Sequence, residues 1–263
     1  MPDSVYDPVI NPDGKQKLAK LVQMCQALRD ACVAYCIPLT SGKDSMKNDF
    51  KADGVKISVP PTVLYSMTAK ITDVRQVVTS DFKQADDVIY LLGETYDELG
   101  GSELYQLYNE LGANVPKVDF AKAKALYTLV GEANDQQLIQ SSHDLSDGGL
   151  AVTLAECTFG RDGIGAALDL SALPAELPVN ALLFSESHSR FVVSVAPEDV
   201  VAFESILEDR ATRLGRVTAD GQLRVRHQQK ELLSLNTTDL RAAWTNGPVN
   251  QTIGLEPATA LHS

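Results

Sequence analysis

The chain has 263 residues, 44% of them hydrophobic, enough to bury a core in one large domain or one domain with an arm. Its formal charge of −12 excludes a general affinity for nucleic acid or anionic membranes, which require a cationic face. No run approaches the roughly 18 apolar residues of a membrane span, and Met1-Pro2-Asp3-Ser4 is not the start of a signal peptide, so a soluble cytoplasmic protein is expected.

Asn11-Pro12-Asp13-Gly14 forms a turn, and the periodicity predicts a helix from about Lys15 to Tyr35 with Leu18, Val22, Cys25, Leu28 and Cys32 inward. Cys25, Cys32 and Cys36 recur on one helical face and read as buried thiols, as does Cys157 in a later apolar helix. Four cysteines are too few for a disulfide scaffold, and His143, His188, His227 and His262 supply no zinc spacing. A short strand, Ile37 to Thr40, leads into Ser41-Gly42-Lys43-Asp44-Ser45-Met46, and Lys47 to Gly54 reads as an exposed connection before a boundary near Pro60-Pro61.

Beyond the boundary, strands are expected at Thr62–Ile71, Asp86–Leu92, Ile139–Ser142, Gly163–Leu170, Arg190–Val195, Leu214–Val217 and Gln222–Arg226. Helices are expected at Ser102–Leu111, Phe120–Glu132, Gly149–Phe159 and Pro197–Asp209. The alternation makes an α/β layered domain over 61–245, after a first segment 1–60, and 246–263 reads as an extended or disordered tail.

Four runs carry candidate chemistry. His143-Asp144-Leu145-Ser146-Asp147-Gly148-Gly149-Leu150 ends a strand in acids and enters a helix through two glycines. Asp144 and Asp147 suit Mg²⁺, and Gly148 and Gly149 let a phosphate approach backbone N–H groups; alternatively Ser146 or Asp147 caps the helix and the glycines only turn the chain. Ser41, Gly42, Lys43 and Asp44 resemble the tail of a P-loop, but the first glycine of that motif is absent, and a solvated turn is equally open. Gly100-Gly101-Ser102 is an anion cradle or a tight turn into a helix. Phe184 to Phe191 holds Ser185, Glu186, Ser187, His188 and Arg190, facing a phosphate or a domain interface; Ser187 with adjacent His143 and Asp144 lacks the geometry of a hydrolytic triad.

Together and in this order, these runs resemble the phosphoribosylformylglycinamidine synthase family, within the superfamily of aminoimidazole ribonucleotide synthetase and selenophosphate synthetase. Asp13 to Phe50, with Pro38 to Asp49, is similar to the end of that family's second amino-terminal-type domain; Thr62 to about Trp244 is similar to its second carboxy-terminal-type domain. The resemblance implies an aminoimidazole ribonucleotide synthetase-like carboxy-terminal domain with a truncated amino-terminal-type arm. It also implies a part in converting formylglycinamide ribonucleotide, ATP and glutamine into formylglycinamidine ribonucleotide, ADP, phosphate and glutamate, with Mg²⁺ and ATP or ADP as cofactors. Lys43 and Asp44 then resemble a nucleotide-proximal loop, and Asp147, helped by Asp144, a metal-associated acid.

Most of an amino-terminal-type domain, the first tandem half and a Cys-His-Glu glutaminase are not found in the 263 residues. The expected partners are therefore the other synthetase halves and a glutaminase domain or subunit, or a second copy joined through the amino-terminal arm, and the chain is expected to be inactive alone. A non-catalytic nucleotide-binding or scaffold domain is the alternative. Selenophosphate or thiamine-phosphate kinase chemistry is disfavoured by Ser41 to Asp49.

Overall fold

A computed structural model describes residues 9, 13–43, 49–58, 62–71 and 73–247. The chain divides into two compact units, Met1–Thr72 and Asp73–Ser263.

In the first unit, helix α1 (Gly14–Tyr35) ends where Cys36 turns left-handed at φ 58° and the Ile37 N–H bonds the Cys32 carbonyl at 3.0 Å, satisfying a terminal acceptor. Only Gly14 of this helix is buried. The expected inward stripe is corrected: Leu18 and Val22 are exposed, Cys25 and Cys36 are exposed and Cys32 is half-buried, because no packed layer among the described residues covers that face. Strands β1 (Asp49–Ala52) and β2 (Val55–Ser58) form an antiparallel hairpin where an exposed connection was expected. Asp53 and Gly54 both have positive φ, 49° and 76°, the signature of a two-residue turn whose twist matches paired strands. Residues 37–40 and 62–71, expected as strands, carry no regular element. Pro60 and Pro61 lie outside the described residues.

The second unit is built on a seven-stranded sheet. Its strands are β3 (Val88–Leu92), β4 (Ser141–Asp144), β5 (Gly165–Asp169), β6 (Phe191–Val195), β7 (Ala211–Thr218), β8 (Gln222–His227) and β9 (Lys230–Asn236), in the spatial order β4-β6-β3-β7-β5-β8-β9. All neighbours are antiparallel except β5 and β8. The helices are α2 (Glu103–Leu107), α3 (Phe120–Asp135), α4 (Gly149–Cys157), α5 (Val179–Phe184), α6 (Val200–Leu207) and α7 (Thr237–Asn246). Sequence patterning placed most of these elements to within a few residues; α5, β9 and α7 are additions.

Central β3 explains the layering. Its residues are all buried, and alternate side chains enter two separate cores. Ile89 and Leu91 pack with Leu150 and Leu154 of α4 and Leu182 of α5, whereas Val88, Tyr90 and Leu92 pack with Leu126 of α3 and Phe203 of α6. A strand covered on both faces needs a continuous apolar run, which Val-Ile-Tyr-Leu-Leu supplies. The polar end of Tyr90 is satisfied by donating to Glu204 Oε1 at 2.7 Å, and burial followed by that bond pushes its phenol well above its ordinary range. In β7, Gly215 lets the β5 backbone approach: a Cβ there would lie 2.0 Å from the Ala167 carbonyl oxygen.

Candidate functional site

Two loops of the second unit meet at a third segment, the one between α5 and β6. The first is Leu99-Gly100-Gly101-Ser102, leading into α2. Its tight course has a structural cause: a Cβ on Gly100 would lie 2.7 Å from the Asn114 backbone, and Gly101 holds φ +74°. Ser102, almost fully buried, caps α2 by accepting the Tyr105 N–H at 3.3 Å and donates to the Leu99 carbonyl at 2.7 Å.

The second loop is Ser146-Asp147-Gly148-Gly149, between β4 and α4. Gly148 and Gly149 have φ of 77° and 62°. A Cβ on Gly149 would stand 2.4 Å from the Ser185 carbonyl oxygen and one on Gly148 would strike Val152, so these glycines serve close packing and a left-handed turn. Neither Ser146 nor Asp147 caps α4: Gly148, which has no side chain to accept a bond, holds the capping position. The capping alternative is thereby corrected. Asp147 is exposed, and Asp144, also exposed, accepts from Ser146 Oγ at 2.9 Å.

The third segment holds the loops together. Ser185 and Ser187 are fully buried and bonded to each other at 3.0 Å. Glu186 Oε1 accepts two backbone donors, the Glu103 N–H and the Gly148 N–H, each at 2.9 Å. Arg190 is buried to 1% exposure and spreads its guanidinium over three acceptors: the Ser187 carbonyl (2.9 Å), Thr95 Oγ1 (3.0 Å) and the Ser185 carbonyl (2.6 Å). Burial lowers its pKa to about 10, opposed by the fields of Glu98 and Glu186. Arg190 therefore faces the interior, where sequence reading had placed it toward a phosphate or an interface.

The five amides expected to receive an anion are engaged inside the unit. Gly100 donates to Asn114 (2.9 Å), Gly101 to Leu111 (2.6 Å), Ser102 to Leu99 (3.2 Å), Gly148 to Glu186 and Gly149 to Ser146 (3.0 Å). Ser41, Gly42 and Lys43 belong to the first unit, where they are exposed and irregular; Asp44 lies outside the described residues.

For a divalent ion, Asp144 and Asp147 offer hard carboxylate oxygens, but no group of three or more His, Cys, Asp or Glu able to hold a metal occurs among the described residues. Two carboxylates would serve Mg²⁺ as partial ligands at most, an arrangement that ion accepts when water and phosphate complete its shell.

Sequence reading missed a neighbouring feature. At the end of β3 a cleft of about 670 Å³ is lined in part by Gly93, Glu94, Lys122, Leu173 and His188. Lys122 Nζ donates to Glu94 Oε2 at 2.7 Å and to Tyr96 Oη at 3.3 Å, while the Tyr96 hydroxyl also donates to Glu94. The Lys122 bond holds the Glu94 carboxyl below its usual range, and Glu94 in turn raises Lys122. Gly93, left-handed directly after the apolar strand, was the available signal.

Residues 84–228, more than half of the chain, match the family model for the C-terminal domain of AIR synthase related proteins. The chain belongs to this family. Solved structures agree with the fold. The AIR synthase related chain is similar to phosphoribosylformylglycinamidine synthase II of Thermotoga maritima, at 17% identity and a TM-score of 0.53 over 64% of this chain and 28% of that one. It is also similar to T. maritima PurL complexed with FGAR (17% identity, TM-score 0.56, 64% and 30%) and to PurLQS from the same organism (20%, 0.53, 64% and 28%). The chain thus spans under a third of the length of these solved chains. No helix among the described residues is long and apolar enough to cross a membrane.

Proposed function

We propose that this AIR synthase related chain is part of the ATP-dependent enzyme that converts formylglycinamide ribonucleotide and glutamine to formylglycinamidine ribonucleotide in purine biosynthesis. The observation that carries the reading is the convergence of Gly100–Ser102 and Gly148–Gly149 on one segment at Glu186, in a domain of this family whose fold is like PurL. Bound Mg-nucleotide supplies the phosphoryl group that activates the amide oxygen. The chain's own part is binding: the glycine loops approach the phosphates, Asp144 and Asp147 contribute carboxylate oxygens to Mg²⁺, and Ser41 to Asp44 belong to a nucleotide-proximal loop. The partners are the remaining synthetase portions and a glutaminase, with amidation absent from the chain alone.

The engagement of all five loop amides favours a second reading, a non-catalytic nucleotide-binding or scaffold domain of the same family. Amidine formation from formylglycinamide ribonucleotide, ATP, Mg²⁺ and ammonia separates the two. The first reading expects product when the chain is mixed with separately prepared remaining synthetase portions and none from either component alone. A mixture that assembles yet yields no amidine favours the scaffold, and turnover by the chain alone overturns its predicted dependence on partners.

A further inference from the structure

Glu186 is the acceptor common to two segments that are distant in sequence. Its Oε1 receives the first N–H of α2, from Glu103, and the N–H at the start of α4, from Gly148, both at 2.9 Å. The base from which the carboxylate projects is fixed. Its N–H bonds the Glu98 carbonyl at 3.4 Å, its serine neighbours are buried, and the fully buried Arg190 grips the carbonyls on either side of it. Gly149 lies so close to Ser185 that no Cβ fits between them. Glu186 itself is only half-buried, in contrast to its fully buried neighbours Ser185 and Ser187. A held base, one carboxylate and two backbone donors on separate loops are thus joined at a single oxygen.

We propose that Glu186 is a latch: its carboxylate pins the 99–103 loop to the 146–149 turn, and opening it loosens both together. The bonds join a carboxylate to backbone amides, the stronger class of hydrogen bond, and both end on the same oxygen, so withdrawing it releases the two segments together. The latch stands on these contacts. Its consequence for ligands rests on the nucleotide reading above: a phosphate reaches these loops only by displacing the carboxylate.

Amide hydrogen exchange on the full chain tests the latch, comparing the parent with Glu186→Ala and Glu186→Gln. Glu186→Ala is expected to accelerate exchange at Glu103 and Gly148 together by about tenfold or more, and Glu186→Gln, which keeps an acceptor oxygen without charge, by less. Protection of the β3 amides reports whether the fold survives; if Glu186→Ala unfolds, Glu186→Gln alone decides by the same paired readout. Acceleration at one amide without the other, or at neither, overturns the latch. Titration with MgADP then tests the consequence separately. About tenfold tighter binding to Glu186→Ala supports displacement, and weaker binding overturns it. No binding by parent or variant, with both amides accelerated, leaves the latch standing and removes the nucleotide reading.

Discussion

Helix α1 and strand β3 both carry apolar residues, at helical spacing in α1 and as a continuous run in β3, and the molecule treats them in opposite ways. In α1 Val22 is 49% exposed and Val33 73%, whereas in β3 Leu91 and Leu92 are wholly buried. The difference lies in the neighbours. β3 sits between β6 and β7 with helices on both faces, while the described residues of the first unit supply only one hairpin and irregular chain. Periodicity states which face wants cover; it does not state whether cover is present.

Truncation separates the two regions most sharply. Leu91→Ala is expected to destabilise the second unit by about 2–5 kcal/mol, and Val22→Ala to change stability by less than about 0.5 kcal/mol, read by denaturant unfolding. Equal losses would erase the contrast.

Backbone substitutions sharpen it within the second unit. Gly149→Ala puts a methyl group against the Ser185 carbonyl at a left-handed φ and should cost roughly 2–3 kcal/mol. Gly131→Ala, inside α3 with nothing within 4 Å of the new atom, should instead stabilise by about 0.5–1 kcal/mol. Thermal unfolding of the two variants should shift in opposite directions.

Thiol chemistry compares the units directly. Cys25 and Cys36 are exposed and should react with a thiol reagent in the native protein; Cys157 is buried, and desolvation raises its thiol pKa far above the ordinary value. Rapid loss of all the thiols without unfolding would contradict the protected core.

A smaller effect comes from Asp87, nearly buried with one unbonded oxygen and with its pKa raised by burial, then by Glu198 and Asp86. A raised carboxylate pKa makes ionisation unfavourable to the fold, so the cost is present above the folded pKa and disappears as pH falls toward the unfolded value. Asp87→Asn should raise Tm at pH 7 by about 2 °C, corresponding to roughly 0.5–1 kcal/mol, and the advantage should shrink on acidification. The smallest expected effect is that of Asp147→Ala: with no cap to lose, stability should change by less than about 0.5 kcal/mol. A loss near 1–2 kcal/mol would restore the capping role.

Legibility followed the range of the forces involved. The run Val88 to Leu92 announces its strand because burial on both faces leaves a purely local trace, and the Gly-Gly turns were visible because left-handed backbone favours glycine. The hairpin at Asp53-Gly54 carried an equally local signal that was masked by the polarity around it. Glu186 was part of a recognised polar run, but its role is written in Gly148 and Glu103, which only the tertiary fold brings near it. Asp144 and Asp147 illustrate the same boundary: their chemistry is evident from type, whereas a complete coordination shell depends on groups from elsewhere.

The position of β3 also carries a cost in time. Its two partners, β6 and β7, arrive roughly a hundred residues later in the chain, a loop closure of about 4 kcal/mol before the first pairing is made. A chain stalled or cleaved ahead of Phe191 holds α3, α4 and α5 but neither partner strand, which leaves Val88 to Leu92 with two unpaired edges, a template for joining another chain. The strand that organises the native sheet is therefore the segment most hazardous to expose during synthesis, and its safety depends on how quickly the last third of the domain follows it.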